Sequence, residues 1–156
     1  MESTVLSNVK IVYFHEAISS QELLKTMGQE AIDAGWAKPG YIEALITREE
    51  KFATGLHTDG VEVAIPHADP DWTNEPGMVV GVLDEPVIFQ PMGGYGGDVA
   101  AKFVFMLVIP DPDAHIEFLS ALSSFIESKE RLTHLEETRD IQGFLSFLSS
   151  AMQPAN

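Results

Sequence analysis

The sequence predicts an α/β fold: a single domain, residues 1–156, with a mixed sheet of about five strands flanked by helices. Three observations lead there. Short β-branched apolar runs interleave with segments whose apolar residues recur at helical spacing. The run over residues 101–109 alternates little, as a central strand buried on both faces must. A length of 156 residues suits one domain with one full core.

Residues 8–14 are apolar and β-branched and read as the first strand. Ser19-Ser20-Gln21-Glu22 has the form of a capping box, so a helix should follow, carrying Leu23, Leu24, Met27 and Ala31 on its inner face. Gly35 and Lys38-Pro39-Gly40 break it. A short helix over 41–45 comes next. Thr47-Arg48-Glu49-Glu50 reads as a second capping box, with Thr47 as N-cap, Arg48 in the first turn and Gly55 ending the element. Residues 61–65 read as a strand. Residues 77–83 and 86–90 read as two strands of a hairpin turning at Asp84-Glu85. Gly93-Gly94-Tyr95-Gly96-Gly97 is a flexible connection. After the strand at 101–109, Pro110 and Pro112 stop the chain and Asp113 is placed to cap a helix. That helix presents Ile116, Leu119, Leu122 and Ile126. Leu132 and Leu135 mark another helix, and Ile141, Phe144, Leu145 and Leu148 a last one.

Composition narrows the function. There is no cysteine, which excludes disulfide scaffolding, thiolate catalysis and cysteine-ligated zinc. The formal net charge of −15 disfavours nucleic acid and anionic membranes, whose binding rests on Lys and Arg. It serves solubility and favours partners with basic surfaces. No apolar run is long enough to span a bilayer, and Met1-Glu2-Ser3-Thr4 does not open a secretory signal, so a cytoplasmic location without membrane insertion is expected.

The chemistry centres on Val61-Glu62-Val63-Ala64-Ile65-Pro66-His67. A lone histidine is more often structural than reactive. Here Pro66 ends the ladder and leaves His67 at a strand end, where α/β proteins gather their sites. Imidazole is nucleophilic near neutral pH and can carry a covalent group. His115 opens a later helix, where the N-terminal dipole favours anions; the plainer alternative is a surface histidine beside a cap. Arg48 has the planar fork that grips phosphate oxygens, although most arginines are simply solvated. His57 and His67 lack zinc spacing and a third ligand, and His15 and His134 read as surface residues. The glycine-rich loop lacks the Lys-Ser/Thr ending of a P-loop, and no Gly-x-Ser-x-Gly elbow is present.

These segments carry a resemblance. Residues 48–56, Arg-Glu-Glu-Lys-Phe-Ala-Thr-Gly-Leu, and 63–69, Val-Ala-Ile-Pro-His-Ala-Asp, resemble the IIA domains of the fructose–mannitol class of the bacterial phosphoenolpyruvate-dependent sugar phosphotransferase system. Residues 86–94 and 103–107 look most like its galactitol-type branch. The resemblance implies a type-2 IIA phosphocarrier. His67 matches the histidine that accepts the phosphoryl group from HPr on Nε2. His115 matches the auxiliary histidine and Arg48 the phosphate-binding arginine. A sugar-specific IIB component then takes the group, for uptake of galactitol or a related polyol. No cofactor or metal is implied. A regulatory IIA-like protein acting by protein binding is the alternative, and a binding-only module that kept the fold is a further one. Many relatives have Gly after the histidine, where this chain has Ala68-Asp69. A carboxylate there would either orient the ring or repel the phosphate.

Overall fold

The structure is a computed structural model and describes residues 5–152. Met1–Thr4, read above for a targeting signal, lie outside the described residues. Five strands form one mixed sheet: β1 (Val9–Phe14), β2 (Gly55–Leu56), β3 (Glu62–Ala64), β4 (Gly77–Phe89) and β5 (Val99–Val108), in the order β1-β4-β5-β3-β2. β1 runs parallel to β4 and β3 parallel to β5, while β4–β5 and β2–β3 are antiparallel. β5 is central, as its continuous apolar run requires.

Helices α1 (Ser20–Asp33) and α2 (Tyr41–Lys51) cover one face, and α3 (Ile116–Ile126), α4 (Lys129–Thr138) and α5 (Ile141–Met152) cover the other. The strands supply both cores by alternation. Met78, Val80 and Val82 of β4 pack under α3–α5, whereas Val79 and Leu83 pack under α1 and α2. Phe144 of α5 meets Phe105 and Phe125 with ring centroids 5.0 and 4.7 Å apart. Each such aromatic pair adds about 0.5–1.5 kcal/mol beyond the area it buries.

Ser19 caps α1 as expected, its hydroxyl accepting from the Glu22 N–H at 3.2 Å. Gly40, with φ +96°, starts α2, and a Cβ there would lie 2.6 Å from the Trp72 ring. The second capping box is overturned. Residues 41–51 form one uninterrupted helix, so Thr47 is an interior residue and Arg48 lies in the last turn. Free N–H groups exist only in a helix's first turn, and the turn before Thr47 already supplies carbonyls to its neighbours. A cation in the last turn suits the helix dipole. Gly55 does not end this element: the helix closes at Phe52, and Gly55 pairs in β2 with Ala64.

The expected hairpin at Asp84-Glu85 is also absent. A two-residue hairpin turn needs positive φ at its centre, usually from Gly or Asn. Neither Asp84 nor Glu85 has positive φ, and β4 runs straight through them. Val82 pairs with Phe103 and Val87 with Ala101, so the intervening residues of β4 face Lys102 alone. Lys102 is also skipped in the β3–β5 register, and its Nζ donates to the Asp84 carbonyl at 2.9 Å. This bulge turns β5 over. Val99 and Ala101 face α1 and α2; Phe103, Phe105 and Leu107 face α3–α5.

Asp113 is not the cap of α3. Asp111 opens a 3-10 turn, Pro112–His115, and its side chain accepts from the Asp113 N–H. α3 then begins at Ile116, which is exposed, and its inner face is Phe118, Ala121, Leu122, Phe125 and Ile126.

Candidate functional site

The parallel pair β3–β5 positions the site. Beyond Ala64 the chain stays alongside β5: Leu107 N–H donates to the Pro66 carbonyl at 3.0 Å, and His67 lies opposite Leu107. β3 itself ends at Ala64, two residues before Pro66, so His67 lies past the strand end yet is still bridged to β5, and Pro66 is not where the pairing stops. His67 is half-buried between two fully packed neighbours, Pro66 and Ala68.

Its Nδ1 lies 3.0 Å from the Ile65 carbonyl oxygen. A carbonyl only accepts, so Nδ1 carries the proton and the lone pair is on Nε2. Burial holds the imidazole pKa below its ordinary value of 6.5, and the Arg48 charge acts in the same sense. The Ile65 carbonyl and the Asp69 carboxylate oppose them, in that order. The ring is therefore kept neutral and nucleophilic at neutral pH.

Arg48 and Asp69 meet across the cleft. Arg48 Nη1 donates to Asp69 Oδ1 at 3.0 Å, and the Phe52 ring lies 5.2 Å from the guanidinium carbon. Arg48 Nε is buried and makes no hydrogen bond, alone in this among the described side chains. Arg48, Lys51, Phe52, Asp69 and Trp72 line an open cleft of about 550 Å³. Glu49, next along α2, accepts from both the N–H and the hydroxyl of Thr54, at 2.8 and 2.7 Å. These bonds tie the end of α2 to the approach of β2. Burial raises the Glu49 pKa, partly offset by the Thr54 bonds.

His115 sits at the end of the 3-10 turn, in the cap position of α3 rather than in its first turn. It is half-buried, and its ring makes no hydrogen bond among the described residues. It follows β5, whose Leu107 faces His67, so both histidines occupy the same end of the sheet. His15 and His134 are exposed, as expected.

His57, which carries no motif in the sequence, has a structural task. Its Nδ1 pairs with Glu62 and its Nε2 with the Gly97 carbonyl at 2.9 Å. Glu62 also accepts from the Ala100 N–H at 3.0 Å. His57 thus pins the glycine loop to β3, and Gly96 (φ +92°) passes so close that a Cβ would meet the ring at 2.9 Å. The spacing of His57, Glu62 and the loop gave no local signal, because the loop reaches them only through the β3–β5 pairing.

A five-stranded mixed sheet covered by helices on both faces is also the fold of solved IIA proteins. The chain superposes on one from the complex of enzyme IIAMTL and phosphorylated enzyme IIBMTL of Escherichia coli with TM-score 0.71 and 22% identity, covering 92% of this chain and 94% of that one. The chain belongs to the EIIA 2 family of the phosphoenolpyruvate-dependent sugar phosphotransferase system, whose family model matches residues 4–151.

Relatives agree. The mannitol-specific phosphotransferase enzyme IIA component of Halalkalibacterium halodurans is 30% identical over 151 residues, covering 93% of this chain and 97% of that protein. The galactitol-specific EIIA component of Escherichia coli (strain K12) is 25% identical over 134 residues, 84% of this chain and 89% of that protein. The mannitol-specific EIICBA component of Pasteurella multocida is 25% identical over 149 residues, 94% of this chain, and the chain spans only 23% of its length. Mannitol- and galactitol-specific relatives both match at 30% identity or less, so the family assignment stands in place of the galactitol-type branch expected from the sequence.

Proposed function

We propose that the protein is a phosphocarrier: His67 takes a phosphoryl group from phospho-HPr on Nε2 and passes it to the cognate IIB component during uptake of a hexitol such as mannitol or galactitol. The observation that carries this reading is the bond from His67 Nδ1–H to the Ile65 carbonyl, which leaves a neutral ring with Nε2 as its only lone pair. In loading, the Nε2 lone pair forms the new P–N bond and the donor nitrogen keeps the electron pair of the bond that breaks. The proton stays on Nδ1, donated to the Ile65 carbonyl. The chemistry then rests on alignment and charge neutralisation. Arg48 supplies the cation and His115 a donor to the phosphoryl oxygens. The acidic balance of the chain suits a donor with a basic rim. Among the described residues no helix is long and apolar enough to cross a membrane.

Incubation with enzyme I, HPr and labelled phosphoenolpyruvate tests this. The protein should label once, in an acid-labile and base-stable bond, and His67→Ala should not label. His115→Ala should label but discharge more slowly to IIB; loss of labelling only in that variant would reverse the two roles. Labelling that persists in His67→Ala removes the assignment. Labelling without discharge to any transport IIB would favour a regulatory protein.

A further inference from the structure

Asp69 lies two residues past His67, just after the position where many relatives have Gly and this chain has Ala68. It stands at the N-cap of a 3-10 turn, Pro70–Trp72, where an aspartate ordinarily accepts from the turn's free N–H groups. Its side chain makes no such bond. The carboxylate is exposed and turned instead onto Arg48 Nη1. That contact engages a single donor of a fork built for two, and the buried Nε is left without a partner. The guanidinium is held, but it is not satisfied.

We propose that Asp69 is a positioning residue for phosphoryl transfer: it occupies Arg48 while His67 is bare, yields the guanidinium to the phosphoryl group when His67 is loaded, and thereby sets how firmly the protein holds that group. The inference rests on the phosphocarrier reading given above. Three features support it. Asp69 lies two residues from His67, and Arg48 reaches it from a separate helix. The charges of both groups act on the His67 ring in opposite senses, so both are within electrostatic reach of it. A phosphoryl group brings three acceptor oxygens and roughly two negative charges, a far better match to the guanidinium's Nη groups than one carboxylate oxygen.

The exchange has a direction. Before loading, Arg48 and Asp69 neutralise each other beside a neutral ring. After loading, the phosphoryl group claims Arg48, and Asp69 becomes an unpaired like charge close to it. Loading is therefore disfavoured and discharge favoured relative to a chain without this carboxylate. For a carrier, that keeps the phosphoryl group easy to give up. The two roles left open for Asp69 by the sequence, orienting and repelling, become successive states of one residue.

The test uses phosphoramidate as a small-molecule donor, so no protein partner is needed. The P–N bond of phosphoramidate breaks with its electron pair to the departing ammonia, and Nε2 forms the new bond. Phosphohistidine is read by 31P NMR as the loaded fraction at equilibrium, and its lifetime is followed after the donor is removed. Asp69→Asn keeps the size and an acceptor but removes the charge. It should raise the loaded fraction relative to free protein, and lengthen the lifetime, by about threefold to fivefold, the scale of a partly exposed ion pair. Asp69→Glu should behave as wild type. In an Arg48→Gln background the Asp69→Asn shift should shrink to what direct repulsion by Asp69 supplies, because the competition for Arg48 is gone. Thermal unfolding of each variant reads folding separately, and the exposed side chain of Asp69 leaves the fold intact.

An unchanged loaded fraction and lifetime in Asp69→Asn would overturn the proposal. So would an equal shift in the Arg48→Gln background, which would make Asp69 a bystander charge. Absence of phosphohistidine at His67 in the wild-type protein would overturn the phosphocarrier reading and the exchange with it.

Discussion

His57 and His67 stand ten residues apart, on either side of β3, and have opposite electrostatic fates. His57 is exposed, yet both its nitrogens face acceptors, the Glu62 carboxylate and the Gly97 carbonyl. Both nitrogens must donate, so the ring is cationic, and the Glu62 bond first and the Gly97 carbonyl second raise its pKa above 6.5. His67 is half-buried, has one nitrogen on a carbonyl, and is held neutral chiefly by its burial. A histidine with both nitrogens paired is a strut. A histidine with one nitrogen fixed and the other bare is a nucleophile in waiting. Exposure alone would have ranked them the other way.

The largest test of this contrast is substitution. Where His67→Ala is expected to abolish phosphoryl labelling, His57→Ala should leave His67 labelled, with the glycine loop loosened and showing faster amide hydrogen exchange around Gly96 and Gly97. A folded His57→Ala protein that no longer labels would erase the distinction.

Arg48→Lys comes next. Lysine keeps the charge but not the fork, and loading of His67 should slow by about tenfold or more, at least roughly 1.4 kcal/mol of barrier. Single-turnover loading measures it, and urea unfolding should show little change in stability. Wild-type loading rates in Arg48→Lys would reduce Arg48 to a helix-end charge.

The smallest effects are in the pH dependence, and the two histidines should move in opposite senses. Because the folded pKa of His67 lies below 6.5, its ring stays neutral under conditions that protonate a free imidazole. The acid limb of the loading rate should therefore fall below pH 6.5, and a limb above that value would mean the ring is not held as described. For His57 the folded pKa is raised, so its stabilising contribution is fully present below 6.5 and is lost as pH rises through the folded value. The stability gap between wild type and His57→Ala, read by urea titration, should narrow from acid to mildly alkaline pH. A gap that is constant or widens would contradict a cationic His57.

By itself the sequence determined the layers and one end of the site. Period-two and period-3.6 spacing report which residues share a face, and those faces became the two cores against the sheet. Ser19 caps α1 because capping is a contact between near neighbours. The short β-like run before Pro66-His67 placed His67 just past a strand end, although the strand stops at Ala64 and pairing continues beyond Pro66. Other features depended on what lies opposite. The Thr47 pattern marks a helix start only where N–H groups are free, and the preceding turn had already taken up that role. Asp84-Glu85 resembled a turn until Lys102 absorbed the mismatch as a bulge and let β4 continue. Arg48 and Asp69 are 21 residues apart in sequence and come together only because α2 ends beside the strand that delivers His67. Local periodicity and capping are set by short-range sterics and hydrogen bonds, which sequence encodes directly. The pairing of distant charges is set by which elements pack side by side, and the tertiary structure alone decides that.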